Sequence, residues 1–218
     1  MQNIKTYDVL VIGGGISACV FVSNYLKNNL KVNIALIEAG RGLGGRSSSR
    51  LSQRFEGWEI NHGSPNLNIF NSSNNKLLQT YIDELLKNNL IKVDDSEFIE
   101  LNYKYKSSSI GNSDFICRNN YCSDSSMSEL SQNIIALNNL RDQIDYYFET
   151  LIIKVEFTEN EWKLTSNNGD LFKSKSIICS SNLLLHKRSM EIMKINHIPL
   201  RKAFPKGKDA KIDLLLSF

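Results

Sequence analysis

The chain has 218 residues, of which 41% are hydrophobic and 22% charged, a composition typical of a globular protein with a sizeable core. Its 26 basic and 23 acidic residues leave a formal net charge of +3, which is too even to indicate a nucleic-acid-binding surface. No apolar run reaches the roughly 18 residues of a membrane span, and the first apolar stretch runs into glycines instead of a signal-peptide cleavage site. We therefore expect neither a nucleic acid nor a membrane as partner.

The first 38 residues predict a βαβ unit. The apolar run from Asp8 to Ile12 stops at three glycines, as expected for a parallel strand buried on both faces. A helical pattern follows and ends near Asn28 and Asn29. The run from Val32 to Ile37 predicts a second buried strand, which Glu38 closes.

The middle of the chain predicts loops and two helices. Residues 40–75 are rich in Gly, Ser, Asn and Arg and predict loop with short strands. Residues 76–89 predict an amphipathic helix, with apolar side chains at helical spacing: Leu77, Leu78, Tyr81, Ile82, Leu85 and Leu86. Ser126 and Glu129 form a capping box at the start of a second helix, which should turn Met127, Leu130, Ile134 and Leu137 inward.

From residue 144 the hydrophobic period changes to two, which predicts an antiparallel β-meander. Alternating apolar residues lie at 144, 146 and 148 and again at 151, 153, 155 and 157. The Asn-Asn-Gly-Asp segment at 167–170 predicts a turn between two of the strands. A last apolar run, Ile177 to Cys179, could rejoin the parallel sheet.

The cysteines give no sign of a metal or disulfide framework. Cys19, Cys117, Cys122 and Cys179 lie at spacings that match no zinc or redox motif, and no His, Cys, Asp and Glu cluster has metal-ligand spacing. We expect unbonded thiols, no metal site and a reducing, cytoplasmic location.

The glycines after the first strand carry the most specific motif. Gly13-Gly-Gly15-Ile16-Ser17-Ala18 fits G-x-G-x-x-G/A between a buried strand and a helix. Gly13 permits the tight turn, Gly15 lets the backbone approach a pyrophosphate, and Ala18 lets the helix pack close to the strand. The helix N-terminus at Ile16 and Ser17 offers N–H groups to phosphate, and Glu38 is placed to accept hydrogen bonds from ribose hydroxyls. These features predict dinucleotide binding.

A second glycine-rich loop distinguishes FAD from NAD. Arg41 and Arg46 flank Gly44 and Gly45, so backbone and charged side chains can both approach phosphate oxygens. An NAD site needs no such loop, whereas an extended FAD can be approached there from a second side. A solvated basic loop is the alternative on spacing alone.

The residues from Asp8 to Arg50, with the run R-G-L-G-G-R-S-S-S-R, resemble the flavin-containing amine oxidase superfamily, and within it the renalase-like FAD-dependent oxidoreductases. The segment from Trp58 to Pro65 is similar to the family's D/H-x-G-A loop beside the flavin, and Ser126 to Leu130 is similar to its G-M-x-x-L helix start. The strand after Phe148 is similar to the adenine-side strand, where the backbone near Ile152 would face the adenine.

The resemblance implies an α/β fold: a Rossmann-like FAD-binding parallel sheet with an antiparallel β-meander and a partial, largely helical inserted substrate region. The expected division is a FAD-binding domain of residues 1–60 and 136–185, an insertion of residues 61–135, and a tail of residues 186–218 without assignment. Family members are longer, and nothing after residue 182 resembles their second flavin contact. The chain therefore looks like the N-terminal part of such an enzyme.

The function implied is a FAD-dependent oxidoreductase that transfers a hydride from a small-molecule substrate to the flavin. The expected cofactor-binding residues are Gly13, Gly15, Ile16, Ser17, Ala18, Glu38, Ala39, Arg41, Gly44, Gly45, Arg46, His62, Gly63 and Ile152. His62 could polarise the flavin or the substrate, but a histidine in a turn more often bonds the backbone. No catalytic side chain can be assigned.

Two other functions stay open on the sequence. Without the second flavin contact, the chain could be a catalytically incomplete nucleotide-binding fragment or pseudoenzyme. An NAD-dependent dehydrogenase would use the same glycine fingerprint, and Glu38 would repel the additional phosphate of NADP. The sequence addresses neither the substrate nor the oligomeric state.

Overall fold

The computed structural model describes residues 4–29, 31–61, 63–70, 75–94, 98–102, 107–111 and 118–180. The chain divides into two compact units, one of Met1–Gly42 with Leu140–Phe218 and the other of Leu43–Asn139. The expectations for His62, for Cys117 and for the segment after Ser180 lie outside the described residues. The assignment of cofactor and substrate domains stays a prediction.

The described residues form three α-helices and thirteen strands. The helices are α1 (Ile16–Asn28), α2 (Lys76–Lys87) and α3 (Met127–Ala136). The strands are β1 (Ile4–Ile12), β2 (Ile34–Ile37), β3 (Ser49–Leu51), β4 (Glu59–Asn61), β5 (Leu67–Phe70), β6 (Ile91–Val93), β7 (Phe98–Asn102), β8 (Ser107–Gly111), β9 (Arg118–Ser123), β10 (Ile144–Tyr147), β11 (Ile152–Thr158), β12 (Glu161–Ser166) and β13 (Leu171–Cys179).

The first unit contains one six-stranded sheet in the order β10-β2-β1-β13-β12-β11. The pairs β10–β2, β2–β1 and β1–β13 are parallel. The pairs β13–β12 and β12–β11 are antiparallel. The predicted fold class, a parallel Rossmann-like sheet that carries an antiparallel meander, is confirmed. Strand β2 starts two residues later than predicted, because the Asn33 N–H donates to the Asp8 carboxylate, 3.1 Å away, instead of joining the strand ladder.

Residues 144–147 were wrongly predicted to belong to the meander. They form β10, which pairs in parallel with β2 at the edge of the sheet. A period of two reports that one face of a strand is buried, and it does not identify the neighbouring strand. The prediction for residues 177–179 is confirmed, since β13 is antiparallel to β12 in its first part and parallel to β1 along its length.

One core cluster of this unit combines side chains of the parallel strands and of the meander. Buried side chains from both parts form one cluster: Tyr7, Leu10, Ala35, Ile37, Ile152, Val155, Leu164 and Phe172. The predicted alternation along β11 breaks down, because the register shifts between Ile152 and Lys154. Ile152 is consequently buried and Ile153 is 46% exposed. The predicted turn follows β12, with Gly169 at φ +82°.

The second unit holds short sheets and two helices. Strands β5, β9 and β6 form an antiparallel sheet, and β3–β4 and β7–β8 form two further pairs. The expectation of a largely helical insertion was therefore wrong. Its strands, such as Arg118–Ser123, are short and polar and give no clear period of two.

Both predicted helices of the second unit are present. Ser126 caps α3, as predicted, by accepting a hydrogen bond from the Glu129 N–H. Two residues on the predicted apolar faces are not buried. Leu77 in the first turn of α2 is 83% exposed, and Leu137 at the end of α3 is only half-buried. Strand β6 follows α2 after a short turn and packs against it, so burial on α2 concentrates at Ile82 and Leu85.

Candidate functional site

The glycine turn after β1 has the geometry that the motif requires. Gly13 has φ +101°, which disfavours any residue with a side chain, and its N–H donates to the Ile37 carbonyl at 2.8 Å. Gly15 is the N-cap of α1, and a β-carbon built there would meet nothing within 4 Å. Ala18 lies in the first turn of the helix and is fully buried. The backbone at Gly15 is thus open to close approach by a ligand.

Helix α1 differs from the other two helices at its N-terminus. Asn75 caps α2 and Ser126 caps α3, each through side-chain oxygens that accept backbone N–H groups. Gly15 provides no side-chain cap, and the first turn of α1 holds no acidic residue. Ile16 is half-buried and Ser17 is exposed there. No side chain of the helix itself therefore offsets the partial positive charge of this end, which suits a phosphate group.

Glu38 joins the glycine turn to the loop after β2. Its carboxylate accepts a hydrogen bond from the Gly14 N–H at 2.5 Å with one oxygen and from the Gly40 N–H at 2.6 Å with the other. An ionised carboxylate has about four acceptor positions, so two stay available for hydroxyl donors such as those of a ribose. Glu38 is half-buried, and Ala39 and Arg41 beside it are exposed.

The connection from β10 to β11 is bonded to this loop through backbone groups. The Glu38 N–H donates to the Tyr147 carbonyl at 2.8 Å, and the Thr150 N–H donates to the Glu38 carbonyl at 3.0 Å. The Glu149 N–H donates to Gly40 at 2.9 Å. On the other side of the turn, the Ser180 hydroxyl lies 3.2 Å from the Gly13 carbonyl. The carboxyl ends of four parallel strands thus hold the glycine turn and Glu38 in place, at the edge where open α/β sheets bind ligands.

Two titratable side chains of the parallel strands stay protonated at neutral pH. Burial raises the pKa of Tyr146 in β10 to about 12. Burial also raises the pKa of the Cys179 thiol at the end of β13. Neither group supplies a charge or a reactive anion to this edge. Among the cysteines that the structure describes, Cys19, Cys122 and Cys179 form no disulfide bond.

Residues 43–48, which carry Gly44, Gly45 and Arg46 and are called the arginine-glycine loop below, begin the second unit. Gly44 has φ +124° and Gly45 has φ +54°, and a 3-10 turn follows from Gly45 to Ser47. The N–H and the hydroxyl of Ser47 both donate to the Gly44 carbonyl, at 3.0 and 2.8 Å. This turn leaves the Arg46 side chain exposed. The backbone is fixed locally while the guanidinium stands in solvent.

Gly63 packs directly on this loop. A β-carbon at Gly63 would overlap the Arg46 carbonyl oxygen, and the Ser64 N–H donates to the same oxygen at 2.7 Å. The need for glycine at position 63 therefore has a local packing cause. Contact of Gly63 with a cofactor stays a prediction.

Ile152 carries its side chain into the core of the first unit, where it is 7% exposed. Its backbone pairs with Ser166 of β12. A side-chain role in binding is therefore not available to it, and the prediction for Ile152 concerns its backbone alone.

The structure thus groups the predicted residues within each unit. In the first unit, the Gly13–Ala18 turn and Glu38 are brought together through the Gly14 N–H. In the second unit, Gly44 to Arg46 and Gly63 are in contact. Sequence reasoning missed Gly14 as the partner of Glu38. It also missed the contacts among Asn61, Ser49 and Ser128, three short polar residues that no sequence pattern links to one another.

In the described part of the chain, no helix is long and apolar enough to cross a membrane. Within the same residues, no group of three or more His, Cys, Asp or Glu side chains is arranged to hold a metal ion.

Comparison with known families and structures supports the Rossmann-like character of the N-terminal part. Residues 11–85 match a family described as an NAD(P)-binding Rossmann-like domain, which is less than half of the chain. No curated protein sequence matches it.

Similar solved structures include oxidases. Wild-type putrescine oxidase bound to putrescine aligns at 11% identity with a TM-score of 0.56, over 85% of this chain and 60% of that one. A putative protoporphyrinogen oxidase from Exiguobacterium sp. 255-15 aligns at 12% identity with a TM-score of 0.60, over 93% of this chain and 64% of that one. The chain thus spans less than two thirds of the length of these structures. At such identities the likeness establishes the fold alone.

Proposed function

We propose that this chain binds FAD and forms part of a FAD-dependent oxidoreductase of the amine-oxidase type, and within that type of a renalase-like enzyme. The observation that carries the proposal is the glycine turn. Gly15 is open to close approach, α1 has no side-chain cap, and Glu38 stands beside the turn with two acceptor positions in use and two available. These residues fit the diphosphate and ribose of a dinucleotide.

The protein residues bind and orient the cofactor. In the first unit, the α1 N-terminus would meet a phosphate and Glu38 would accept from ribose hydroxyls. Arg46 of the second unit is proposed from the sequence alone, as a guanidinium for a second phosphate contact. FAD, when bound, supplies the redox chemistry by accepting a hydride from a small-molecule substrate. A small-molecule substrate and a cytoplasmic location are further parts of this proposal.

The test is a visible absorption spectrum of the purified, extensively washed chain, before and after addition of FAD and gel filtration. Retained flavin bands are the expected result. Protein that keeps no FAD at micromolar concentration would overturn the proposal. A titration with NAD in parallel distinguishes the dehydrogenase alternative, which the name of the matching family favours.

The Arg46→Ala variant tests the choice of FAD over NAD. Loss of one charge-assisted hydrogen bond should weaken FAD binding by about 1.5 to 3 kcal/mol, or roughly 12- to 140-fold, and should leave NAD binding unchanged. Arg54→Ala is the matched control, because Arg54 is an exposed arginine of the same unit that lies over the Phe55 ring. Equal FAD affinity in wild type and Arg46→Ala would remove the second phosphate contact from the proposal.

A chain that binds FAD without oxidising any substrate would support the second candidate, an incomplete nucleotide-binding module. The observation in its favour is that the chain spans 60% and 64% of the two oxidases' lengths. Flavin binding and substrate-dependent bleaching of the flavin bands separate the two candidates.

A further inference from the structure

The side chain of Asn61, at the end of β4, bonds to two separate segments of the second unit. Its Oδ1 atom accepts the Ser49 hydroxyl at 2.5 Å and the Met127 backbone N–H at 3.2 Å. Ser49 begins β3, directly after the arginine-glycine loop, and Met127 is the first residue of α3. One amide oxygen therefore links the loop, β4 and the helix start.

The hydrogen atoms of this network can be assigned from its donors. The Met127 N–H can only donate, so the Asn61 atom that faces it must be the oxygen. The Ser49 hydroxyl accepts the Ser128 N–H at 3.2 Å, which leaves its own hydrogen free to donate to Asn61. The Ser128 hydroxyl in turn accepts the Ser49 N–H at 2.6 Å. All four contacts are mutually consistent, and none of them involves a ligand.

The same contacts occupy the N-terminus of α3 with the protein's own groups. Asn61, Ser49 and Ser126 accept the N–H groups of Met127, Ser128 and Glu129, respectively. An anion would have to displace these acceptors to reach the helix end. The function of this helix end is therefore to hold neighbouring segments, in contrast to the uncapped α1.

The arginine-glycine loop is fixed at both ends by this arrangement. At its start, a β-carbon at Gly44 would lie 3.5 Å from the Ser128 Cα, so the glycine lies against α3. At its end, Ser49 is bonded to Asn61 and Ser128. Between them, the Arg46 carbonyl contacts Gly63 and Ser64, only two and three residues after Asn61.

We propose that Asn61 is a positioning residue that holds the Gly44–Ser48 loop, and through it Arg46, in the orientation used for phosphate binding; this rests on the proposed function. Asn61 is exposed, so water competes for its hydrogen bonds and the expected effect on affinity is modest.

The experiment is a double-mutant cycle on FAD affinity in the full chain, with Asn61→Ala, Arg46→Ala and the double variant. We expect Asn61→Ala to raise the FAD Kd by roughly 3- to 10-fold when Arg46 is present and by less than about 2-fold in the Arg46→Ala background. Asn61→Asp keeps the acceptor oxygen but adds a negative charge that a bound phosphate would oppose, so this variant serves the exchange measurement and not the affinity cycle. Asn88→Ala is the control, because the Asn88 amide bonds only to its own helix, at the Glu84 carbonyl.

Amide hydrogen exchange provides the readout that does not need FAD. Asn61→Ala should accelerate exchange at Met127 and Ser49, and Asn61→Asp should not. Suppose that wild type binds FAD. If the losses of FAD affinity in Asn61→Ala and Arg46→Ala then add in the double variant, or if Asn61→Ala changes nothing, the positioning role is wrong and the proposed function stands. If wild type binds no FAD, the proposed function fails; faster exchange would still support Asn61 as the residue that holds the loop, and unchanged exchange would refute this as well.

Discussion

At the scale of single residues, the two outer glycines of the fingerprint have different physical tasks. Gly13 has φ +101°, a conformation that a β-carbon opposes. Gly15 has φ −73°, which any residue adopts, and has open space where a side chain would lie. Backbone conformation therefore requires the first glycine, whereas only the proposed ligand site would require the second.

This difference predicts opposite behaviour of two matched variants. Gly13→Ala should lower the free energy of unfolding by about 1 to 2 kcal/mol. Gly15→Ala should leave it within about 0.5 kcal/mol of wild type and still weaken FAD binding, because the methyl group occupies the approach path. Urea unfolding and FAD titration of both variants provide the measurement. A Gly15→Ala variant with unchanged FAD affinity would contradict the proposed site.

Glu38 is also structural in the absence of any ligand. In Glu38→Gln, one carboxylate oxygen becomes an NH2 group, which cannot accept the N–H of Gly14 or Gly40. We expect unfolding free energy to fall by about 1 to 2 kcal/mol without FAD, together with weaker FAD binding. Glu56→Gln, at an exposed loop position, is the control for both measurements. An unfolding curve of Glu38→Gln that overlays that of wild type would show that these two hydrogen bonds contribute nothing to stability.

At the scale of elements, an exposed ion pair joins β1 to β13. The Lys175 ammonium lies 2.8 Å from the Asp8 carboxylate, which also accepts the Asn33 N–H. Lys175 and, to a smaller extent, the Asn33 N–H lower the pKa of Asp8. The same contact raises the pKa of Lys175. Both groups are charged in the middle of the pH range, and each loses its contribution at one extreme.

The pH dependence has a definite sign at each end. Because the folded pKa of Asp8 is lowered, its stabilisation is present above its unfolded pKa and is lost as pH falls through the folded value. Because the folded pKa of Lys175 is raised, its stabilisation is present below its unfolded pKa and is lost as pH rises through the folded value. In Lys175→Gln, an NMR titration should show the pKa of Asp8 moving up towards its ordinary value. Lys92→Gln, which breaks an exposed pair with Asp124, should leave Asp8 unchanged.

At the scale of the whole molecule, the first unit is built from distant parts of the chain. The Tyr7 hydroxyl in β1 donates to the Asp145 carboxylate at 2.7 Å and lies 2.6 Å from the Tyr147 hydroxyl, both in β10. Burial and these two partners raise the pKa of Tyr7, so its hydroxyl stays protonated. These contacts bridge residues that are 138 and 140 positions apart.

Removal of this bridge should destabilise the first unit as a whole. Tyr7→Phe keeps the buried ring and deletes the hydroxyl, so we expect unfolding free energy to fall by about 1 to 2 kcal/mol with little change in the denaturant slope. Tyr25→Phe is the control, since the Tyr25 ring stacks on Phe21 within α1. Urea unfolding followed by circular dichroism decides the matter, and equal midpoints for Tyr7→Phe and wild type would exclude a stabilising bridge.

The sequence by itself determined the local features of this protein. The βαβ unit, the glycine turn, both later helices and the Ser126 cap follow from short-range rules of burial, backbone conformation and capping. The sequence also predicted the glycine fingerprint and Glu38, because the turn after β1 and the end of β2 each call for a particular residue type at a fixed position.

Only the tertiary structure decided which segments become neighbours. Hydrophobic alternation could not place β10 beside β2 or reveal the register shift at Ile152, because it reports burial and not the identity of the partner strand. The bond from Gly14 to Glu38, the packing of Gly63 on Arg46 and the contacts of Asn61 join residues that are 12 to 66 positions apart. Such contacts depend on how the chain folds back on itself, and short polar residues carry no pattern that predicts it.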